Sequence, residues 1–190
     1  MQTLNTKTSW GWPSRAIHWV TAGILLWTMS LGVYMTNFVA DPLQQFALTQ
    51  THKSWGFLVF ALAVMRVIWL VIARRRPALP EHCKPYERAG AHLSHTVLYI
   101  LIFLLPLSGW VTSAASPLQD LLNIENMVFT WFAMPDPWVP GVARIEKTAA
   151  AVHFCAGIVL ALTLLAHVGA ALKHHLINKD SVLTRMTWGR

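Results

Sequence analysis

Nine histidines fall in the 190 residues of this chain, and six of them lie within or at the rims of long apolar runs. The pair that frames HFCAGIVLALTLLAH, His153 and His167, sets an imidazole at each end of a stretch without charge. At about 100° and 1.5 Å per residue, a separation of 14 closes to within about 40° of whole turns and spans about 21 Å, so both rings face one side of a helix at two depths. His18, in RAIHWV, is level with His167, and His52, in QTHKSWGF, is level with His153. Neutral imidazole is the commonest nitrogen ligand of metals. Two imidazoles on facing helices hold an iron from opposite sides, and a haem ligated in that way keeps no open position, which suits electron passage rather than oxygen binding. Zinc fits these sites less well, because neither offers a Cys or carboxylate to complete a tetrahedron. Ala22, Gly23, Gly56, Ala156 and Gly157 are small and leave room for a flat apolar cofactor.

Arg66 follows His52 by the same interval of 14 and falls on the same face near the other depth. A cation inside a membrane helix wants a partner. A haem propionate would serve; snorkelling toward the headgroups competes, since about two turns separate Arg66 from Arg74. His92 and His95, in GAHLSHTVLY, are alternatives as inner ligands, propionate partners or proton relays. His82, His174 and His175 stand beside Lys or Pro at membrane ends, where solvated interfacial side chains are expected.

The elements that must carry these groups are four apolar runs of about 20 residues, the length a bilayer core requires. The expected architecture is all-α, an integral membrane four-helix bundle forming one domain over 1–190, with spans near 15–39, 43–74, 91–114 and 146–175 and an outer link near 116–145. Asp41-Pro42 reads as a cap with proline at the first helical position. Pro106 is expected to kink the third helix. The link, with MVFTWFAMPDPWVP, is expected along the outer interface, where Trp is favoured, with a lid as the alternative.

Eleven Lys and Arg (Lys7, Arg15, Arg74, Arg75, Arg76, Lys84, Arg88, Lys173, Lys179, Arg185, Arg190) flank one side, against Lys53, Arg144 and Lys147 on the other. That bias predicts up-down-up-down topology with both termini cytoplasmic. It also accounts for the net charge of +7 without a nucleic-acid partner. The first run is too long and too late for a removable signal peptide. Two cysteines, Cys83 and Cys155, form no CxxC or CxxCH, so neither a disulfide nor covalently attached haem is expected.

With RAIHW, THKSWGFLVFALAVMR, GAHLSHTVLYILIFLLPLSG and the tail HHLINKDSVLTRM in this order, the chain resembles the bacterial cytochrome b561 family, di-haem membrane proteins related to the cytochrome b subunits of nickel hydrogenases. The resemblance implies two non-covalent haem b groups ligated by His18, His52, His153 and His167. It also implies residence in the bacterial inner membrane, lipid contact and electron exchange with the quinone pool, with ubiquinone as substrate. Members of the group include a superoxide oxidase. A superoxide site needs a positive funnel, for which Lys53 is the local candidate. Two further classes are carried beside this one. One is a haem-containing anchor that relays electrons for a separate dehydrogenase, hydrogenase or periplasmic redox protein. The other is a haem-free proton or metal transporter, disfavoured because the apolar runs 17–39, 55–73, 97–115 and 149–172 contain no Asp or Glu.

Overall fold

Prolines and short acidic caps set where the helices begin. The computed structural model describes residues 2–80, 82–138 and 140–189. Arg190, one of the flanking bases, and Val139 of the aromatic link lie outside them. Helix α1 (Trp12–Asn37) has Pro13 in its first turn, and α2 (Pro42–Ala73), α3 (Pro85–Ala114) and the short α4 (Pro117–Leu122) each start on proline, whose missing N–H is an orphan there anyway. The Asp41 carboxylate accepts the Gln44 N–H at 2.9 Å, and the Glu87 carboxylate accepts the Lys84 N–H at 2.9 Å. The second cap carries α3 back to Pro85, ahead of its apolar run near residue 91. Helix α2 stops where Arg74 turns left-handed, with φ 53°, before Pro77 and Pro80. Helix α5 (Ala143–Lys173) continues into a π-helical turn, His174–Asn178, and a last helix, α6 (Val182–Thr187), follows.

Among the described residues, four helical stretches, α1, α2, α3 and Ala143–Asn178, are long and apolar enough to cross a membrane. Large apolar side chains such as Val71, Phe154 and Leu165 remain exposed along them. Lipid tails tolerate that pattern; in water it would be an association hazard.

The chain divides into two compact units, each containing part of all four long helices. The terminal unit comprises Met1–Thr21, Leu62–Ile100 and Val159–Arg190, and the link unit Ala22–Ala61 and Leu101–Ile158. Leu62, Ala63, Ala73 and Leu160 are buried in the terminal unit, and Phe57, Val59, Leu101, Ile102 and Ala156 in the link unit.

In the link unit, the stretch after α3 holds α4 and a two-stranded antiparallel hairpin, β1 (Met127–Val128) and β2 (Phe132–Ala133), with Met127 opposite Ala133 and Val128 opposite Phe132. Ser54, 2% exposed, anchors this hairpin: its Oγ accepts the Phe129 N–H at 2.8 Å and lies 3.2 Å from the Met127 carbonyl.

In the terminal unit the C-terminal tail is bound to the N-terminal segment. Trp19 Nε1 donates to the Met186 carbonyl at 2.9 Å, Arg15 Nη1 to Thr187 O at 3.0 Å, and Ser9 Oγ to Gly189 O at 2.8 Å. The expectation of three solvated histidines fails for His174, which is buried. The π turn carries its Nδ1 to within 2.5 Å of Asp180 Oδ2, and His82 Nε2 reaches the same oxygen at 3.1 Å. His82 and His175 are exposed, as expected.

Candidate haem sites

Each unit contains one pair of half-buried imidazoles. In the link unit the rings of His52 (α2) and His153 (α5) have centroids 6.1 Å apart. In the terminal unit His18 (α1) and His167 (α5) are 6.4 Å apart. A metal–imidazole nitrogen bond is about 2.0–2.1 Å and the ring centre lies about 1.1 Å farther, so two imidazoles on one metal have centroids about 6.3 Å apart. Both pairs meet that spacing. His95 also packs on His167, with ring centroids 5.2 Å apart, shorter than that spacing.

The link-unit site is built around a one-turn patch of α3. His153 Nδ1 lies 2.9 Å from the Leu105 carbonyl and 3.2 Å from Ser108 Oγ. A carbonyl only accepts, so Nδ1 carries the proton and Nε2 presents its lone pair, the state a metal ligand needs. A Cβ on Gly109, in the same turn, would stand 3.1 Å from His153 Cε1, and a Cβ on Gly32 of α1 would stand 3.2 Å from His52 Cε1. The two ligand candidates therefore each rest against a glycine. Gly56 and Gly157, each one turn after a ligand candidate and on nearly its face, have nothing within 4 Å of a would-be Cβ. Gly23 is likewise open and Ala156 is buried. A bare backbone beside open space, one turn from each imidazole, suits the flat apolar face of a porphyrin.

The terminal-unit site differs in its polar surroundings. Arg66 Nε donates to Tyr99 Oη at 3.1 Å, its guanidinium carbon lies 5.2 Å from the Tyr99 ring centre, and its Nη2 lies 3.2 Å from His18 Nδ1. A guanidinium only donates, so His18 Nδ1 accepts here. His95 Nδ1 donates to the Ala91 carbonyl at 2.7 Å, leaving its Nε2 lone pair free, and His92 is exposed. The five residues expected from spacing, His18, His52, His153, His167 and Arg66, thus fall into the two clusters.

Lys53 is half-buried and committed to protein partners. Its ammonium donates to Ser113 Oγ at 3.2 Å and to Asn126 Oδ1 at 3.1 Å. The Asn126 side-chain amide donates to the Asp136 carboxylate, as does Gln119 Nε2 at 2.7 Å. Asn126 is 1% exposed. His52, Lys53 and Ser54 are thus a ring of the imidazole pair, the root of a buried polar network and the anchor of the hairpin, in three consecutive residues.

Gly32, Tyr99 and Asn126 carry no signal in the sequence, and Gly109 stands out there only as the glycine after Pro106, at the expected kink. Intervals between histidines carry no information about which side chains of other helices they touch. A rule seeking glycines in apolar runs would have found Gly32 and Gly109, but equally Gly23 and Gly169, which touch nothing. Among the described residues, no group of three or more His, Cys, Asp or Glu could hold a metal ion by itself. Cys83 is buried in the terminal unit. Burial first, then the Asp180 and Glu87 carboxylates, pushes its thiol up and keeps it protonated, which does not suit a metal thiolate.

The family described as prokaryotic cytochrome b561 matches residues 9–189. The chain is 32% identical over 186 residues to cytochrome b561 homolog 2 of Escherichia coli (strain K12), covering 98% of this chain and 95% of that protein. It is 27% identical over 172 residues to cytochrome b561 homolog 1 of the same organism, covering 90% and 92%.

Proposed function

Because the chain belongs to the prokaryotic cytochrome b561 family, and is on that account a haem-binding electron-transfer protein of a membrane, we propose that it holds two haem b groups. One would sit between His52 and His153, the other between His18 and His167, with electrons exchanged with the quinone pool of the bacterial inner membrane. The ring spacings of 6.1 and 6.4 Å carry this reading. When bound, haem would supply reversible one-electron chemistry, with these histidines as the residues that would hold it.

The protein's own part is to orient and tune. Leu105 O and Ser108 hold the His153 ring with Nε2 forward, and Gly32 and Gly109 let the two rings close against their helices. At the other site a ligating Nε2 requires the proton on His18 Nδ1, which displaces Arg66 Nη2 from that atom. Tyr99 retains Arg66 through Nε, so the released guanidinium edge is available to an acidic group such as a haem propionate. The charge bias along the chain puts the His52/His153 site toward the periplasm and both termini in the cytoplasm.

Superoxide is the less favoured donor. The link unit has three Lys and Arg against five Asp and Glu, and Lys53 is held by Ser113 and Asn126. That is not the positive funnel a small anion needs. A relay role, with a separate protein as donor, is favoured by the ordered hairpin and its exposed Trp131 and Phe132.

The decisive experiment is a reduced-minus-oxidised spectrum with a haem count on the full chain, on His153→Ala and on His167→Ala. Each variant is expected to lose one haem of two and keep the other. A colourless wild-type protein, or variants that both keep two haems, would refute the assignment. Reduction of a quinone analogue by the purified protein with superoxide, or with another small donor, then separates self-contained turnover from the relay role.

A further inference from the structure

We infer that the face of the terminal unit carrying Lys7 and Arg74–Arg76 is a binding surface for the phosphate headgroups of anionic phospholipids. By sequence this unit holds twelve Lys and Arg against three Asp and Glu. Two of those acids are committed elsewhere: Glu87 pairs with Lys173 and caps α3, and Asp180 is held by His174 and His82. Among the described residues no carboxylate pairs with Lys7, Arg74, Arg75 or Arg76, and all four are exposed.

The four bases are brought together by a built strap. Residues 2–11 fold into a loop closed by the Trp12 N–H on the Gln2 carbonyl, 2.9 Å, and by the Gly11 N–H on Asn5 Oδ1, 2.9 Å. Asn5 is buried, and its Nδ2 donates to the Arg75 carbonyl at 3.0 Å, while the Ala78 N–H donates to the Lys7 carbonyl at 2.9 Å. Gly11 is required for the closure, since a Cβ there would stand 2.1 Å from the Thr3 carbonyl oxygen. The strap therefore ties the Lys7 backbone to Ala78, two residues after the arginine run.

The neighbouring residues identify lipid as the occupant. Val71 and Ile72, separated from the run only by the buried Ala73, are exposed on a helix fit to span hydrocarbon, while Trp12 and Trp19 are exposed on α1 in the same unit. Bases that closely follow lipid-facing residues lie at headgroup depth, where each adds about fivefold to the binding of an anionic lipid.

The test uses the purified full chain in neutral detergent, titrated with phosphatidylglycerol, phosphatidylcholine or inorganic phosphate, with bound lipid counted by native mass spectrometry at low and high salt. Phosphatidylglycerol is expected to bind and to be released by salt, with phosphatidylcholine weaker. The variant R74Q/R75Q/R76Q should weaken phosphatidylglycerol about a hundredfold, and Lys147→Gln, in the link unit, should leave it unchanged. The inference is overturned if the triple variant binds like wild type or if phosphatidylcholine binds equally. It is also overturned if inorganic phosphate displaces the lipid more than chloride does at matched ionic strength, which would mark a free-phosphate site. If the triple variant is not recovered, Lys7→Gln decides: about a fivefold loss supports the lipid surface and no loss refutes it.

Discussion

Gly109→Ala is the smallest change that tests the site through its geometry. The added carbon would stand 3.1 Å from His153 Cε1 and 3.2 Å from Nδ1. Carbon atoms at rest are about 3.5–4.0 Å apart, so the ring must retreat by about 0.4 Å or more. Metal–ligand distances hold to about 0.2 Å, so a displacement of this size would exceed what a bond from His153 to an iron could absorb. Retreat from α3 also stretches the 2.9 Å bond from Nδ1 to Leu105 O. Alanine in a helix interior gains about 1 kcal/mol over glycine, and overpacking costs about 1–3 kcal/mol. The fold should therefore survive with a net change of about 0–2 kcal/mol against it, while one haem is lost or shifted in potential. The assay is a haem count, a redox titration and a thermal melt on Gly109→Ala, with Gly169→Ala as the control because nothing lies within 4 Å of its Cβ position. Two haems with wild-type potentials in Gly109→Ala would refute the placement of His153 as a ligand packed on α3.

Other consequences are as direct. Tyr99→Phe removes the acceptor of Arg66 Nε and should shift the potential of the His18/His167 haem alone, read by redox titration with both haems still counted. Asn126→Leu strips partners from Lys53 and Asp136 in a buried network and should cost about 2–3 kcal/mol, with faster amide exchange over residues 127–133. Burial raises the Asp180 carboxyl, but the Val182 N–H, His174 and His82 outweigh it and hold it below its ordinary value. A depressed carboxylate stabilises above its unfolded value, about pH 4, and loses that contribution as pH falls through the folded value. Tail protection by amide exchange at residues 182–188 should therefore collapse at acid pH in the wild type, whereas Asp180→Asn should lack this protection at neutral pH.

Local chemistry made much of the chain legible from its sequence. The length of an apolar run fixes whether a helix can span, proline and Asp41 fix where helices start, and Arg74 with two prolines fixes where α2 stops. The constant rise per residue fixes the depth of each histidine, and depth alone was enough to propose His18 with His167 and His52 with His153. Rotation about the helix axis was not legible. A helix apolar all round has no polar face to say which way it turns, so nothing local assigns Gly109 to His153 or Tyr99 to Arg66. These contacts join residues 44 and 33 positions apart. The tertiary structure alone also set the ring spacings around His167, 6.4 Å to His18 and 5.2 Å to His95. It alone turned Lys53 from the candidate for a positive funnel into the root of a network, and drew His174 onto Asp180. In each case the deciding quantity is a distance between side chains on different segments, which packing sets and no single segment encodes.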